Sequence, residues 1–347
     1  MTAKFPALLT VALLASVAAC EDSDPAGPDD EGTTYDSLTV NASADWAFVD
    51  LDGEGLASVQ VVDPPSSQGW VMGFFATSVM LNGGAAGPSG VAGHCLCQNA
   101  DATDAEVMAM SAEAALGAFE AVTAADIPAS EDAWESDALA PAIDGWYSYD
   151  VGTHTVTAAA ENVWKVRTAS GEAYAKFHVT DVVDPTQQHA GEVTFEYALQ
   201  GSPGASFEPT VTATVDVAGA PVHFDLETGA EVAADAEWDL LFEGYAIHVN
   251  GGVSGEGSAG ASLSGESFAD VTDASDLTAG HYAGDAYGGV FDASPWYRYN
   301  LDGAHQIWPV FNVYLVRVGA EVFKVQLVGY YGPGGDARQI TFRYQRL

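Results

Sequence analysis

The sequence predicts an all-β protein of two tandem antiparallel β-sandwich-like units, with one helix inserted in the first. Three observations predict it. Apolar and polar residues alternate at period two, as where Trp238, Leu240 and Phe242 interleave with Asp239, Leu241 and Glu243. Short β-branched or aromatic runs are separated by turn residues at hairpin spacing. A set of landmarks also occurs twice in one order, which marks a duplicated unit.

The duplication is plainest in two stretches. Trp70 to Gly84 reads WVMGFFATSVMLNGG and Trp238 to Gly252 reads WDLLFEGYAIHVNGG. Thr39-Val40 with Asp50-Leu51 matches Thr214-Val215 with Asp225-Leu226, and Phe119 to Thr123 matches Phe268 to Thr272. Trp146-Tyr147-Ser-Tyr149 followed by His154 matches Trp296-Tyr297-Arg-Tyr299 followed by His305. Val163 to Arg167 matches Val313 to Arg317, Lys176 falls against Lys324, and Val193 to Tyr197 matches Ile340 to Tyr344. The units therefore run over 38–200 and 213–347. The linker is 201–212, where Gly201, Pro203, Gly204 and Pro209 disfavour regular structure.

Residues 1–20 read as an export signal, with Lys4 as its charge and Ala7 to Ala15 as an apolar segment too short to span a bilayer. Its end, Val17-Ala18-Ala19-Cys20, resembles the bacterial lipobox, which implies cleavage before Cys20 and lipidation of its thiol. Residues 21–37 hold Asp, Gly and Pro with almost nothing to bury, as expected of a disordered acidic tether. Within the units the runs Val163–Thr168, Ala175–Val182, Val193–Leu199, Val310–Val318, Val322–Tyr331 and Gln339–Tyr344 are expected strands. Thr103-Asp-Ala-Glu106 has the form of a capping box, and Ala-rich sequence continues to about Val122, so one helix is expected there. It falls in an insertion of the first unit, because Asn82 to Phe119 spans about nineteen residues more than Asn250 to Phe268.

Ten basic and 49 acidic residues leave a net charge of −39. Such a surface repels nucleic acid and anionic membranes, so a membrane is met only through the anchor. It also weakens binding of multiply anionic ligands that lack a local basic partner. No nucleophile elbow, zinc-protease helix, phosphate loop or dinucleotide fingerprint is present, and a non-enzymatic role is expected.

W-D-x-x-F at Trp238–Phe242, the strand ending Asn250-Gly-Gly252 and the run Gly252-Val-Ser-Gly-Glu-Gly257 resemble the HmuY family. So do Phe268–Thr272, Trp296–Tyr299, Val313–Arg317, Phe323–Leu327, the Tyr330-Tyr331 pair and Thr341–Tyr344. The resemblance covers the second unit and, more weakly, the first. It implies an antiparallel β fold, an exported lipoprotein of the outer membrane facing periplasm or cell surface, and capture of haem without catalysis. It also implies two axial histidines. One follows the Phe of W-D-x-x-F, where this chain has Phe75 and Glu243, neither a normal haem ligand. The other lies in the loop before W-Y-x-Y, where the second unit has only His281 and the first has no His. The haem site therefore does not carry over residue by residue. Met72 and Met80 are the methionines considered as substitutes, and an apolar strand makes each a core residue first.

Candidate haem or metal ligands are His94, Cys95, Cys97, His281 and His305. Gly93-His94-Cys95-Leu96-Cys97 aligns with Gly260 to Ser264, so two Ser positions become Cys. On a strand the two thiols share a face and could grip a soft metal or haem iron. A buried pair or a local disulfide are the alternatives. His154 and His305 recur at one place, which favours a shared hydrogen-bonded turn. His248 points away from Ile247 and Val249, towards solvent. Asp50-Leu-Asp52-Gly-Glu54 lacks the full spacing of a calcium loop. Two functions are in view: a surface binding protein for haem or a related small ligand, and a structural or interaction protein keeping the fold without haem.

Overall fold

The alternating runs form antiparallel strands, and two five-stranded sheets carry the architecture. One has the order Asp36–Asn41, Ala337–Arg346, Glu321–Tyr331, Tyr314–Val318 and Ala92–Cys95. The other has the order Val211–Asp216, Glu192–Gln200, Tyr174–Val183, Trp164–Arg167 and Gly260–Leu263. In each sheet the three inner strands come from the end of one repeat, and both edge strands come from the start of the other. The registers repeat as well. Thr39 faces Thr341 with 2.8 Å between their hydroxyls, and Thr214 faces Thr194 at 2.9 Å. This computed structural model describes residues 35–51, 57–61, 63–277 and 281–347. The export signal, Cys20, nearly all of the tether and Asp52 to Glu54 lie outside the described residues. Within Asp36–Leu347, which is one compact unit, sequence repeat and packing unit do not coincide.

Each large sheet packs against a smaller four-stranded one. Ala57–Val59, Ala47–Asp50, Met72–Phe75 and Ser78–Leu81 form the first, and Ala230–Val232, Val222–Asp225, Leu240–Glu243 and Ala246–Val249 the second. Two cores result. A terminal core joins Val40, Phe74 and Leu81 to Trp296, Tyr314 and Phe342. A central core joins Trp146, Phe177 and Phe195 to Phe224, Phe242 and Val249. The same stack sits in both: Phe74 on Phe342 at 5.2 Å and Phe195 on Phe242 at 5.0 Å. A fully buried Phe stabilises by roughly 1.5–3 kcal/mol, and an aromatic pair adds about 1 kcal/mol beyond area. Both sums accrue only when the start of one repeat meets the end of the other.

The chain passes between cores at two short strands, Ala138–Ala140 and Ala286–Gly288. They pair antiparallel with Leu139 opposite Tyr287, which are equivalent positions. Pairing of equivalents is what a local two-fold axis requires. Beside each crossing, against Asp137 and Asp285, the Asn-Gly-Gly motif closes a turn. Asn82 Nδ2 donates to the Trp70 carbonyl and Asn250 Nδ2 to the Trp238 carbonyl, both at 2.8 Å. An added Cβ on Gly83 would strike the Val91 carbonyl, and one on Gly251 the Ala259 carbonyl. The glycines are there because two backbones touch.

The insertion departs from expectation. In place of one helix to about Val122 there are two, Asp104–Ala109 and Leu116–Ala121. Thr103 and Glu106 form the expected capping box. Met110 then turns extended, and Ser111 Oγ accepts from Ala114 N at 3.2 Å, opening a new turn. Tertiary partners secure the break: Arg343 donates to the Ala112 carbonyl at 3.0 Å, and Arg298 pairs with Asp104 at 2.9 Å. A third helical turn, Val290–Ala293, lies in the second repeat. Among the described residues no helix is long and apolar enough to cross a membrane.

Candidate ligand groove

The exchange decides which landmarks meet. Trp146 of the first repeat donates its Nε1 to the carbonyl of Tyr245 in the second, at 3.2 Å. Trp296 of the second donates to the carbonyl of Thr77 in the first, at 2.8 Å. Ile143, before the first W-Y-x-Y, bridges Ile247, just after Glu243. The two positions that the family resemblance marks for axial histidines are thus drawn from different repeats at each end. At the central core they are exposed Glu243 and the loop 141–145. At the terminal core they are Phe75, packed on Trp46 at 5.8 Å, and the loop 289–295. Phe75, Glu243 and the segments 141–145 and 289–295 include no His, and His281, the one His between Phe268 and Trp296, lies upstream of 289–295.

A groove of about 650 Å³ lies over the central core. Such a volume is within the usual range for small ligands. Its walls are the hairpin of Tyr147–Asp150 and Thr155–Ala158, the turn Pro185 to Gln187, and Tyr245. The first two belong to one repeat and Tyr245 to the other. Tyr147 packs edge-on to Trp146 at 4.8 Å and against Tyr245 at 5.0 Å. Tyr245 donates to the Thr186 carbonyl at 2.6 Å, which ties turn to turn. Burial, with Tyr147 and Tyr149 close by, raises the Tyr245 hydroxyl above the usual phenol range. Tyr149 is 52% exposed and its hydroxyl lies 2.7 Å from His154 Nδ1. None of the lining residues is Lys or Arg.

The matching place on the terminal core is tied shut. Tyr299 and His305 form the same pair at 2.7 Å, with left-handed backbone at His305 (φ 57°) as at His154 (φ 55°). There, however, Tyr331 accepts from Ile307 N at 3.1 Å and fastens the hairpin to the sheet. At the offset set by Lys176 and Lys324, Tyr331 corresponds to Val183, which is too short to reach. The two ends differ at this side chain, in the turn after it (184–191 against 332–336), and at Tyr245, where the terminal core has Thr77.

The candidate ligands fall in scattered places. His94 Nδ1 lies 2.9 Å from the Ala133 carbonyl and its ring leans on Trp134. Cys95 and Cys97 are joined in a disulfide, with Cα atoms 5.0 Å apart. Their sulfurs are bonded to each other, so in this state neither is a thiolate for a soft metal. Register corrects the alignment drawn for them: Cys95 pairs with Tyr314 and Leu263 with Trp164, so Cys95 corresponds to Leu263 and not to a Ser. His281 is exposed on the central-core side of the crossing, and His305 is held by Tyr299. Met72 and Met80 are buried, and among the described residues no cluster of three His, Cys, Asp or Glu could hold a metal.

His248 is not exposed. Both faces of its strand are covered, it is 4% exposed, and its Nδ1 lies 2.9 Å from Asp285 Oδ2. The Asp supplies the partner that a buried imidazole needs. Sequence reading missed the groove because its landmarks, W-Y-x-Y and Tyr245, belong to different repeats. The recurring Tyr and His were the signal available.

Comparison with known proteins finds the same family, but in the first repeat, where the landmarks are weaker, and not in the second. Residues 42–197, essentially the first repeat, match the HmuY family, described as HmuY protein. A protein of Bacteroides vulgatus ATCC 8482, assigned as HmuY-like and heme binding, is 16% identical over 36% of this chain and 83% of its own, with a TM-score of 0.17. A protein of Bacteroides fragilis NCTC 9343 assigned as a lipoprotein is 16% identical over 47% and 91%, with a TM-score of 0.16. No curated protein matches the chain.

Proposed function

We propose that this chain, which matches the HmuY family over residues 42–197, is an exported, lipid-anchored surface protein that binds haem or a related small planar ligand without catalysis. The anchor is Cys20, and the groove over the central core is the binding place. The observation that carries this reading is the groove itself: three tyrosines and a histidine around about 650 Å³, built by both repeats. Its residues suit a ferric porphyrin. Tyr147 and Tyr245 offer ring faces, Tyr is a known haem ligand, and His154 supplies a nitrogen base. Absence of Lys and Arg from the lining, under a net charge of −39, leaves the porphyrin carboxylates directed to water.

The test is an absorption titration of ferric haem into the chain from Asp22 onward, which keeps the whole compact unit Asp36–Leu347. A saturable Soret shift supports binding, and Cys95→Ala and His281→Ala should leave it unchanged. A weak, featureless association would instead support an interaction protein that keeps the fold without haem. The scatter of His94, Cys95, Cys97, His281 and His305 favours that second reading.

A further inference from the structure

We infer that Tyr149 is the iron-ligating residue of the groove, its phenol oxygen freed for ligation by proton transfer to His154. The inference rests on reading the groove as a porphyrin site, and it concerns a pair that the family's axial positions do not include. Three observations single Tyr149 out among the groove's phenols. Tyr245 already donates its hydroxyl to the Thr186 carbonyl. Tyr147 turns its ring into the packing between Trp146 and Tyr245. Tyr149 alone of the three is both half exposed and joined through oxygen to a base, 2.7 Å from His154 Nδ1.

That base is held in place. His154 sits in left-handed backbone, φ 55°, which a side chain adopts only when its surroundings require it. The turn beneath it is braced by Asp150 Oδ1, which accepts from Gly152 N at 2.7 Å and Thr153 N at 3.0 Å. Thr153 and Thr155 share a further hydroxyl contact of 2.8 Å. A tight turn does not by itself need a Tyr–His pair, yet both repeats keep one. Tyr149 and the exposed His154 both line the groove, and the imidazole nitrogen lies against the Tyr149 oxygen, where a hydrogen-bonded partner raises ligand basicity.

The step balances without any other reactant. The Tyr149 O–H bond breaks, its proton passes to the His154 Nδ1 lone pair, and an oxygen lone pair goes to the ferric iron. No electron changes hands, and the imidazolium offsets the phenolate charge. His154 must therefore start with Nδ1 unprotonated. The Tyr299–His305 pair at the terminal core has the same 2.7 Å contact, but its hairpin is fastened by Tyr331, so it serves as an internal control.

Ferric haem is titrated into the wild-type chain and into Tyr149→Phe, Tyr149→His, His154→Ala and Tyr299→Phe, with resonance Raman for tyrosinate–iron modes. The wild type should show those modes. Tyr149→Phe should lose them and bind at least about tenfold more weakly, and His154→Ala should weaken binding about 10–100-fold, as loss of an outer partner does. Tyr149→His should replace them with an imidazole-ligated spectrum, and Tyr299→Phe should match wild type. Tyr149 is half exposed, so unchanged circular dichroism in its variants separates ligand loss from unfolding. Haem binding that survives Tyr149→Phe with unchanged spectrum overturns the inference while leaving the groove reading intact, as does loss confined to Tyr299→Phe. No saturable binding by the wild type removes both.

Discussion

Lys176 of the first repeat donates its ammonium to the carbonyl of Phe268 in the second, at 2.8 Å, and lies 4.6 Å over that ring. Lys324 returns the contact to Phe119 of the first, donating at 2.9 Å with the same 4.6 Å to the ring. Each lysine also takes a second carbonyl, Val271 and Val122 respectively. In a chain with only 10 basic residues, two of them bind one repeat's turn to the other's sheet.

Removing Lys324 should therefore cost more than a surface lysine would. Its side chain is buried, and Lys324→Met takes the ammonium from the Val122 carbonyl, while the Phe119 carbonyl keeps Val122 N at 3.3 Å. A buried group left unsatisfied costs about 1–3 kcal/mol, so the variant should lose about 1–3 kcal/mol by urea unfolding. A loss below 0.5 kcal/mol, usual for exposed positions, would contradict that role.

The exchange can be tested by cross-linking. Thr39 and Thr341 are 302 residues apart with hydroxyls in contact. Thr39→Cys with Thr341→Cys should oxidise to a disulfide within one chain, and so should Thr194→Cys with Thr214→Cys. Peptide mass mapping under non-reducing conditions reads the result. Repeats that each close on themselves would place residue 39 beside 194, and the first bond would not form.

The groove should close on demand. Val183→Tyr copies Tyr331 and gives the hairpin of Tyr147–Asp150 its missing fastener. Haem affinity should fall at least about tenfold, since filling a site displaces the ligand's contacts, while thermal stability holds or rises. Affinity equal to wild type would show that ligand enters elsewhere.

Stability should fall from mildly acid to neutral pH. Burial raises the Asp137 carboxyl from 3.8 to about 7, and nearby Asp292 adds to it. Burial likewise raises Asp239 to about 6, against two backbone donors, Ala169 N and Leu226 N. A folded pKa above the unfolded one stabilises most below the unfolded value, and that stability is lost as pH rises through the folded pKa. The window for Asp137 is thus about pH 4 to about pH 7. Repulsion among the other acids acts in the same direction, so the measurement is a difference. Asp137→Asn should flatten the melting temperature against pH relative to wild type and gain on it above pH 7. Parallel curves would refute the assignment.

Much of this protein is legible in its residues because strand periodicity and turn chemistry are local. Period-two alternation gives the strands, Thr103 and Glu106 the first helix start, and Asn82-Gly83-Gly84 with Asn250-Gly251-Gly252 a close backbone contact. The duplication is legible for the same reason: landmarks such as Trp146 and Trp296 need only be compared along the chain. The second helix break was not legible, because it depends on Arg343 reaching Ala112 across 231 residues. Burial of His248 was hidden likewise, since its partner Asp285 comes from beyond the strand.

What the chain alone determined is a set of strands, turns and repeated faces, each needing some apolar partner of complementary shape. It could not say which copy supplies that partner, because Phe342 and Phe195 offer nearly the same surface to Phe74 and Phe242. Tertiary structure made that choice at the Leu139–Tyr287 crossing. It thereby set Tyr245 of one repeat beside Tyr147 and Tyr149 of the other, and left the groove open where Val183 stands in place of Tyr331.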